Sequence, residues 1–555
     1  MKEYKTNNKL IKRGMKTQNT IIGLILCLNL QAQVPADTTS NPILHNYNQN
    51  LVALSAGNER QNILPGGLEK PVPAVTTAHS QSIAPISEEN TYGAFMTAGL
   101  FATTDGTVPF WMRSRRFGSI PADGLSASII AGAHKEYDNT PNQLFAWGAG
   151  VEARFNAASN SELILIEGYT KGRLGVFQLK AGRFRETTGL VDSTLSSGAF
   201  SVSGNALGIP QIQIGFPDYW DVPLTNGVFA LKWSLVHGWM GTYTINDDDG
   251  NLRLETYLHQ KSIYGRLGKP SWKVKFYAGL NHQVTWGNEK QIYPSWGLSN
   301  FETYKYVFLG KAYGTSSIPE SKVGNHLGSI DQAMEWDMKS VLFTGYHQFF
   351  YDIGGLAKLS NAKDGLWGIS LKNKSPKESS WQWQKFLVEF LYSKSQGGEV
   401  DSKPRPSGAE DYYNNFLYYE GWSYQGENLG NPLFTTKKYI QEGYPAKSYQ
   451  YYPNNRLMAF HGGADFSVYD WQCRALLTYS VNWGTYSTSP AERSLGDRIV
   501  YHDPPYFPEI NQFSALVETR KPLRNGFELG LQFAIDQGDL LYNSVGGGVT
   551  LTKRW

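Results

Sequence analysis

Near the end of the chain, alternate positions are mainly apolar over eleven residues. One side of this run consists of Val545, Gly547, Val549, Leu551, Lys553 and Trp555. A period of two places alternate side chains on opposite faces of a β-strand, so the run predicts a strand with one mainly apolar face. A single strand of this kind also fits a soluble sandwich, and its meaning depends on whether the pattern repeats.

The pattern repeats along the C-terminal third of the chain. Apolar residues occupy alternate positions in 458–468, 473–483 and 527–535, while the interleaved positions include His461, Asp465 and Arg474. Such runs are long enough to cross a bilayer as tilted strands. Charged residues on the second face suit a wet lumen, and closing the sheet pairs every backbone group inside the membrane. The sequence therefore predicts an all-β, closed antiparallel transmembrane barrel.

Composition agrees with a barrel and excludes other classes. Aromatic residues make up 14% of the chain, with 33 Tyr and 16 Trp, which is consistent with aromatic girdles at the membrane interfaces. A mean hydropathy of −0.39 excludes a helical membrane protein. The net charge of +3 does not favour a nucleic-acid partner. Residues 91–555 have room for about 18 strands (16 to 20) in one domain.

The first 90 residues differ from the remainder. An apolar segment, Ile21–Leu30, follows Lys12, Arg13 and Lys16, so residues 1–32 are predicted to be a secretory signal peptide, with translation starting at Met1 or Met15. Residues 33–90 are Pro-rich and predict an irregular periplasmic lead segment. Cys473 alone follows the signal, which predicts neither a disulfide nor a Cys metal site.

Counting strands backward from a periplasmic C-terminus assigns the connections to the two sides of the membrane. The short turns at 520–526 and 469–471 then lie in the periplasm, and the long connections at 484–509 and 394–457 lie outside, as barrels require. A final strand that ends on Trp555 resembles the assembly signal of Gram-negative outer-membrane barrels. The resemblance implies location in the outer membrane, contact with its lipid and lipopolysaccharide, and the barrel assembly machinery as a partner.

An ordered set of motifs resembles one family. The motifs are Pro109–Arg113 (PFWMR) with Arg116–Gly118, Ser201–Pro210, Gly215–Trp220 (GFPDYW), Leu258–Gly265, Ser329–Trp336 and the Tyr/Asn-rich Asp411–Tyr424. Together they are similar to the Bacteroidetes-type capsule assembly proteins of the Wzi family. The resemblance implies a barrel of about eighteen strands that binds capsular polysaccharide at the cell surface, with no catalysis and no cofactor.

The Tyr/Asn-rich segment is the strongest candidate for a binding site. Aromatic rings stack on the C–H faces of sugars, and amides and carboxylates pair with hydroxyl groups. The candidate polysaccharide-binding residues are Tyr412, Tyr413, Asn414, Asn415, Tyr418, Tyr419, Trp422 and Tyr424. The alternative is that the aromatic rings pack the loop onto itself and cap the barrel, because a long external connection needs a core of its own.

Other charged groups are weaker candidates for a binding site. Arg113, Arg115 and Arg116 could contact an acidic glycan, or could snorkel and pair with lumenal carboxylates. The turn Asn246–Asn251 could bind Ca²⁺, but it lacks the downstream Glu of an EF-hand and also fits an ordinary hairpin. Glu152, Arg154 and other lumenal charges predict a structural network. With no nucleophile motif, the sequence does not predict an enzyme.

The sequence therefore predicts an outer-membrane surface protein that binds and retains exported capsular polysaccharide. The alternative is a porin or substrate-specific channel. The radius of the pore would distinguish these two functions. An outer-membrane hydrolase is a third hypothesis and would need a Ser/His or Asp/His pair at the outer rim.

Overall fold

A computed structural model describes residues 91–138, 144–245, 252–315, 318–352, 360–376, 379–398, 410–495 and 498–555. They belong to one compact unit, Pro73–Trp555. The predicted signal peptide (1–32), the predicted lead segment (33–90) and the acidic turn at 246–251 lie outside the described residues. Among the residues that are described, no helix has the length and apolar character needed to span a membrane.

The regular secondary structure of the described residues is almost entirely β-strand. The barrel strands are β1 (Tyr92–Thr107), β2 (Asp123–Lys135), β3 (Phe145–Ala157), β4 (Glu162–Leu174), β5 (Phe177–Arg183), β6 (Gln211–Asp221), β7 (Phe229–Thr244), β8 (Arg253–Leu267), β9 (Val274–Trp286), β12 (Asn325–Asp337), β13 (Val341–Tyr351), β14 (Gly365–Asn373), β15 (Trp381–Tyr392), β18 (Leu457–Val468), β19 (Trp471–Asn482), β22 (Ile510–Pro522), β23 (Phe527–Gly538) and β24 (Ser544–Arg554).

The connections hold short elements. Three two-stranded sheets pair β10 (Ala312–Thr315) with β11 (Ile318–Lys322), β16 (Ser423–Tyr424) with β17 (Glu427–Asn428), and β20 (Arg493–Leu495) with β21 (Arg498–Val500). The helices are α1 (Phe110–Arg113), α2 (Glu289–Ile292) and α3 (Asn300–Leu309), and 3₁₀ turns lie at Pro294–Trp296, Tyr486–Thr488 and Arg524–Gly526.

Eighteen strands close into one barrel, which confirms the predicted fold. Each barrel strand pairs antiparallel with the next one along the chain. The last strand, β24, pairs with β1 from Phe95 opposite Arg554 to Thr103 opposite Gly546, and this ladder closes the sheet. Closure leaves no edge whose backbone groups would lack partners in lipid.

The two faces of the wall differ as the alternation predicts. On β18 and β19 the outward Phe460 and Leu477 are 54% and 51% exposed, whereas the inward Ala459 and Thr478 are buried. Outward apolar side chains surround the barrel, and the lumen contains carboxylates, arginines and amides. An apolar outer band around a polar interior is the surface of a transmembrane barrel, and the protein is located in the outer membrane.

The connections differ in length at the two ends of the barrel. At the end that contains Tyr92 and Arg554, turns such as Gly175–Val176, Met338–Ser340 and Tyr469–Asp470 are short. The opposite end has the connections 184–210, 287–324 and 393–456. Short turns face the periplasm and long loops face outward in barrels of this kind, so we name these ends the periplasmic and outer ends.

The connection 287–324 covers the outside of the wall near the outer end. Its α3 starts at a capping box, in which Ser299 Oγ accepts from the Glu302 amide and Glu302 Oε2 accepts from the Ser299 amide. Trp296 and Val307 pack on the outward Val284 and Trp286 of β9, which are buried beneath them. We call this segment the external flap.

The seam between β1 and β24 gives a direct test of closure. Thr97 and Thr552 are opposite each other, and their hydroxyl oxygens lie 2.9 Å apart. Cysteines at directly paired positions lie within disulfide distance, so Thr97→Cys with Thr552→Cys should crosslink the first and last strands under oxidation. Electrophoresis of the unfolded protein without reductant would show a faster, closed-loop species. Thr97→Cys with Thr550→Cys, two residues out of register, is the control, and equal crosslinking of both pairs would contradict the register.

Trp555 extends the seam by one bond, since its amide donates to the carbonyl oxygen of Ala94 at 3.0 Å. Its ring is exposed. The role of this ring as an assembly signal stays a prediction.

Candidate functional site

The first segment that enters the lumen from the outer end is the PFWMR motif. The Phe110 amide donates to Asp536 Oδ2 of β23 at 2.7 Å, and Trp111 Nε1 donates to Thr478 Oγ1 of β19 at 3.1 Å. Phe110, Trp111 and Met112 are buried. The motif therefore fixes the β1–β2 connection to the inside of the wall.

The connection 184–210 crosses the lumen to the opposite wall. Ser196 Oγ and the Ser197 amide donate to the two oxygens of Glu389 on β15, each at 2.6 Å. The Phe200 ring stacks on Phe350 of β13 with centroids 4.3 Å apart. His461 of β18 donates from Nε2 to the Leu195 carbonyl at 2.7 Å. These contacts join a Ser-rich segment without regular structure to three strands.

Asp192 fixes the start of this crossing. Its carboxylate accepts from the Leu195 amide at 2.9 Å and pairs with Lys385 Nζ of β15 at 3.0 Å. Burial alone would raise the pKa of Asp192, but the Lys385 ammonium and the amide donors outweigh burial and lower it to about 2. The carboxylate thus stays charged and holds the loop against β15.

Arg115 joins the two lumenal segments. Its guanidinium donates to the carbonyl oxygens of Ser193 at 3.0 Å, Ser203 at 3.3 Å and Ser196. Burial lowers the pKa of Arg115, although carbonyl dipoles satisfy its N–H groups. A single side chain from the β1–β2 connection therefore holds three backbone groups of the segment 184–210.

The two neighbouring arginines also have protein partners. Arg116 pairs with Glu518 of β22 at 2.6 Å, which is the lumenal pairing that the sequence left open. The guanidinium carbon of Arg113 lies 3.4 Å from the centroid of the Tyr439 ring. Contact of Arg113, Arg115 or Arg116 with an acidic glycan stays a prediction.

Residues 410–456 of the connection between β15 and β18 cover this assembly from the outer end. Trp422 Nε1 donates to the Ser201 carbonyl at 2.6 Å, and the Tyr413 hydroxyl donates to the Phe200 carbonyl. The Tyr412 hydroxyl donates to Asp364 Oδ2 at 2.8 Å. We call the three interlocked segments, 108–122, 184–210 and 410–456, the plug.

The candidate glycan residues lie mostly inside the plug. Tyr412, Tyr413, Tyr418 and Trp422 are at most 1% exposed, and Asn414 and Tyr424 are buried. Asn415 and Tyr419 are half-buried. This burial agrees with the alternative of a loop packed onto itself. Binding of a glycan by any of the eight residues stays a prediction.

A different set of aromatic residues reaches the outer surface. The Tyr444 ring stacks on Phe507 with centroids 4.8 Å apart, and its hydroxyl donates to the Asp539 carbonyl at 2.7 Å. The Tyr542 hydroxyl accepts from the Glu442 amide at 3.2 Å. Tyr506, beside Phe507, is exposed, as is Tyr542. We call Glu442, Tyr444, Tyr506 and Tyr542 the rim cluster.

Sequence reasoning missed the rim cluster. Its members come from three connections, 393–456, 483–509 and 539–543. The bridge between Ile440 and Leu541 brings the first and the last of these connections together. No local pattern in the sequence indicates this pairing. The signal that the sequence offers is Tyr501 and Tyr506 on either side of Pro504–Pro505, a composition typical of a surface loop.

The predicted lumenal network forms in part. Arg474 pairs with Asp465 at 2.8 Å, and Arg185 pairs with Glu152. Arg154 donates instead to Asn156 and Ser128. Among the described residues, no three His, Cys, Asp or Glu side chains are grouped so that they could hold a metal ion.

No protein-family model and no curated protein sequence matches the chain. Among solved structures, the chain is similar to Wzi of Escherichia coli, described as an outer-membrane, carbohydrate-binding β-barrel involved in group 1 capsule assembly, with 11% identity, 82% and 83% coverage and a TM-score of 0.47. It is also similar to OccAB4 of Acinetobacter baumannii, with 8% identity, 84% and 99% coverage and a TM-score of 0.41. OprD of Pseudomonas aeruginosa has 10% identity, 87% and 99% coverage and a TM-score of 0.41. Identities this low concern the fold alone.

Proposed function

We propose that this barrel binds and retains exported capsular polysaccharide at the cell surface, as the motif resemblance to the Wzi family implies. The observation that carries the proposal is the plug. Contacts from its three segments reach the neighbouring strands β13, β15, β18, β19, β22 and β23. Tyr424 of the plug also accepts a hydrogen bond from Arg183 of β5 at 2.9 Å, and β5 lies across the lumen from β18. A channel needs an open path at the outer end, whereas a binding protein needs a rigid outer surface.

The plug supports such a surface. The buried rings of Tyr412, Tyr413 and Trp422 hold residues 410–456 in one arrangement through hydrogen bonds to other segments. A surface fixed before the ligand arrives loses little conformational freedom on binding. The rigid interior therefore favours binding by the rim above it.

The rim cluster has the chemistry that a glycan requires. The faces of Tyr506 and Tyr542 can stack on the apolar side of a sugar ring, and phenol and carboxylate oxygens can pair with its hydroxyl groups. Asn415 and Tyr419, the half-buried members of the predicted set, lie on the other side of the outer end, where the Tyr419 amide donates to the Thr244 carbonyl of β7 at 3.0 Å. We propose that the rim cluster contacts the polysaccharide, in a binding function without a catalytic step.

Removing the rim rings tests the proposal in cells. A strain without this protein should still export polysaccharide but should shed more of it into the medium, and the wild-type gene should restore retention. The triple variant Tyr444→Ala, Tyr506→Ala, Tyr542→Ala should fail to restore it. Each lost ring should cost about 0.5–1.5 kcal/mol, so three together should weaken glycan binding by roughly tenfold or more. The measurement is the ratio of cell-associated to released polysaccharide.

The matched control is Tyr469→Ala, which removes an exposed ring from a periplasmic turn. It should retain capsule as the wild type does. Full retention by an assembled triple variant would remove the rim from the contact surface. A deletion strain that keeps its capsule but takes up a solute more slowly would favour the channel alternative.

A further inference from the structure

A second site lies below the plug, in the periplasmic half of the lumen. A cavity of about 260 Å³ is bounded by Met112, Arg115 and Phe117 of the plug and by β1–β4 and β22–β24. At the periplasmic end it reaches Arg554 and Glu136, beside the ends of β24 and β2. The cavity is therefore on the opposite side of the plug from the rim cluster.

Arginines outnumber carboxylates around this cavity. The lining arginines are Arg115, Arg116, Arg154, Arg185, Arg520 and Arg554. The lining carboxylates are Glu136, Glu152, Glu167 and Glu518.

Most of the carboxylates are already paired. Glu518 pairs with Arg116 at 2.6 Å and with Arg520 at 3.2 Å. Glu152 pairs with Arg185, and Glu136 pairs with Lys171. The internal ion pairs therefore leave an excess of positive charge in the lining.

Three lining arginines, Arg115, Arg154 and Arg554, form no ion pair with a carboxylate of the described residues. Backbone carbonyl oxygens hold the Arg115 guanidinium, so Arg154 and Arg554 are the two that a ligand could pair with. Arg154 is buried, and its Nε and Nη2 donate to Asn156 Oδ1 at 2.8 Å and Ser128 Oγ at 3.0 Å, which are neutral groups. Arg554 Nε and Nη2 are buried without a hydrogen-bond partner among the described residues. A buried cation without an anion is costly, and a bound anion would offset that cost.

The same cavity also has an apolar side. Phe95, Phe101, Ile130 and Ile166 line it beside the arginines. The Phe95 ring centroid lies 5.8 Å from the Arg554 guanidinium, and the Phe101 ring centroid lies 5.7 Å from that of Arg154. Each unpaired cation is thus next to an aromatic ring. This arrangement fits a ligand that joins an oxyanion to an apolar or sugar ring.

We propose that the cavity binds the oxyanion of a small ligand, a carboxylate or phosphate attached to a ring, which enters from the periplasmic end. Arg154 and Arg554 bind the oxyanion, and Phe95 and Phe101 contact the ring. The proposal does not depend on polysaccharide binding at the rim, because the plug separates the two sites.

Calorimetric titration of the full barrel in detergent tests the proposal. The probes are glucuronate for the sugar carboxylate, glucose 6-phosphate for the sugar phosphate, inorganic phosphate for the free anion and glucose for the neutral ring. At least one of the two charged sugars should bind, glucose should not, and the affinity should fall as salt rises. Phosphate binding as strong as that of either sugar would overturn the role of the ring contacts.

Two variants locate the site. Arg154→Gln and Arg554→Gln should each weaken binding of the charged sugar at least tenfold, while Arg524→Gln, an exposed arginine of a periplasmic turn, should leave it unchanged. A shift of electrophoretic mobility on heating shows that each variant is a closed barrel. If Arg154→Gln does not assemble, binding of the charged sugar by Arg554→Gln tests the proposal by itself. Binding of neither charged sugar by the wild type, or unchanged binding by an assembled Arg554→Gln, would overturn the proposal.

Discussion

A barrel carrying Trp422→Ala is expected to conduct ions steadily in planar bilayers, whereas the unmodified barrel conducts poorly. Trp422 is fully buried, and its indole N–H donates to the Ser201 carbonyl at 2.6 Å. Truncating a buried Trp to Ala costs about 3–5 kcal/mol in lost burial and cavity formation. The Ser201 carbonyl would also lose its donor, which adds roughly 1–3 kcal/mol. Losses of this size fall within the range of free energies at which parts of a folded protein open locally.

The barrel wall should survive this substitution, because Trp422 lies outside the strands. The shift of electrophoretic mobility on heating should therefore remain. Phe416→Ala is the control, since Phe416 is on the same connection but is 61% exposed, and it should leave conductance low. Large, steady conductance of the unmodified barrel would contradict a closed outer end and would favour the channel alternative. Low conductance of Trp422→Ala would show that the other contacts hold the plug without this ring.

The plug is expected to loosen as the pH rises from about 4 to 7, the interval between the two pKa values of Asp364. Burial raises the pKa of Asp364 from 3.8 to about 7, although the Tyr412 hydroxyl and the Gln396 and Ser395 amides donate to its carboxylate. In this interval Asp364, which the Tyr412 hydroxyl of the plug contacts, keeps a proton in the folded state that it releases when the plug loosens and exposes it. Stability is therefore fully present below the lower value and falls as the pH rises, by at most about 1.4 kcal/mol per pH unit.

Proteolysis of the intact barrel across this pH interval, with a protease active throughout, would measure the loosening. Asp364→Asn should lessen the dependence, because the amide has no charge to bury. Some dependence should remain, since burial and the nearby Glu410 also raise the pKa of Asp352. Asp539→Asn, an exposed residue of an outer turn, is the control and should behave as the wild type. An unchanged slope in Asp364→Asn would contradict the assignment to Asp364.

The strands could be predicted because their signal is local. Alternation over 458–468 separates Phe460, which faces lipid, from His461, which faces the lumen, with no knowledge of any partner strand. Closure could be anticipated from the physical chemistry of a bilayer. The seam that closes the barrel joins residues such as Thr97 and Thr552, and no local period contains that register.

The loops could not be predicted to the same depth. Tyr, Trp and Asn are the residues of a sugar-binding surface and also of a loop core held by hydrogen bonds, so the composition of 411–424 fits both. The difference lies in partners such as Phe200 and Ser201, which are more than two hundred residues away in the chain. Because a long connection can fold inward, outward or over its neighbours, only the three-dimensional packing decides which rings are exposed.

The external flap gives the barrel two different hydrophobic thicknesses. Over most of the circumference lipid chains meet the wall directly, but the flap replaces that contact on β8 and β9, where it covers His259 and Val284. The flap presents Phe301 and Leu309 outward. The exposed Glu302 and Lys305 lie between them and interrupt the apolar band on this side. A shorter apolar height on one side is accommodated by local thinning of the bilayer or by tilt. We therefore expect the barrel axis to tilt from the membrane normal. Neighbouring membrane proteins that share the deformed lipid around the barrel should then meet it in a fixed orientation.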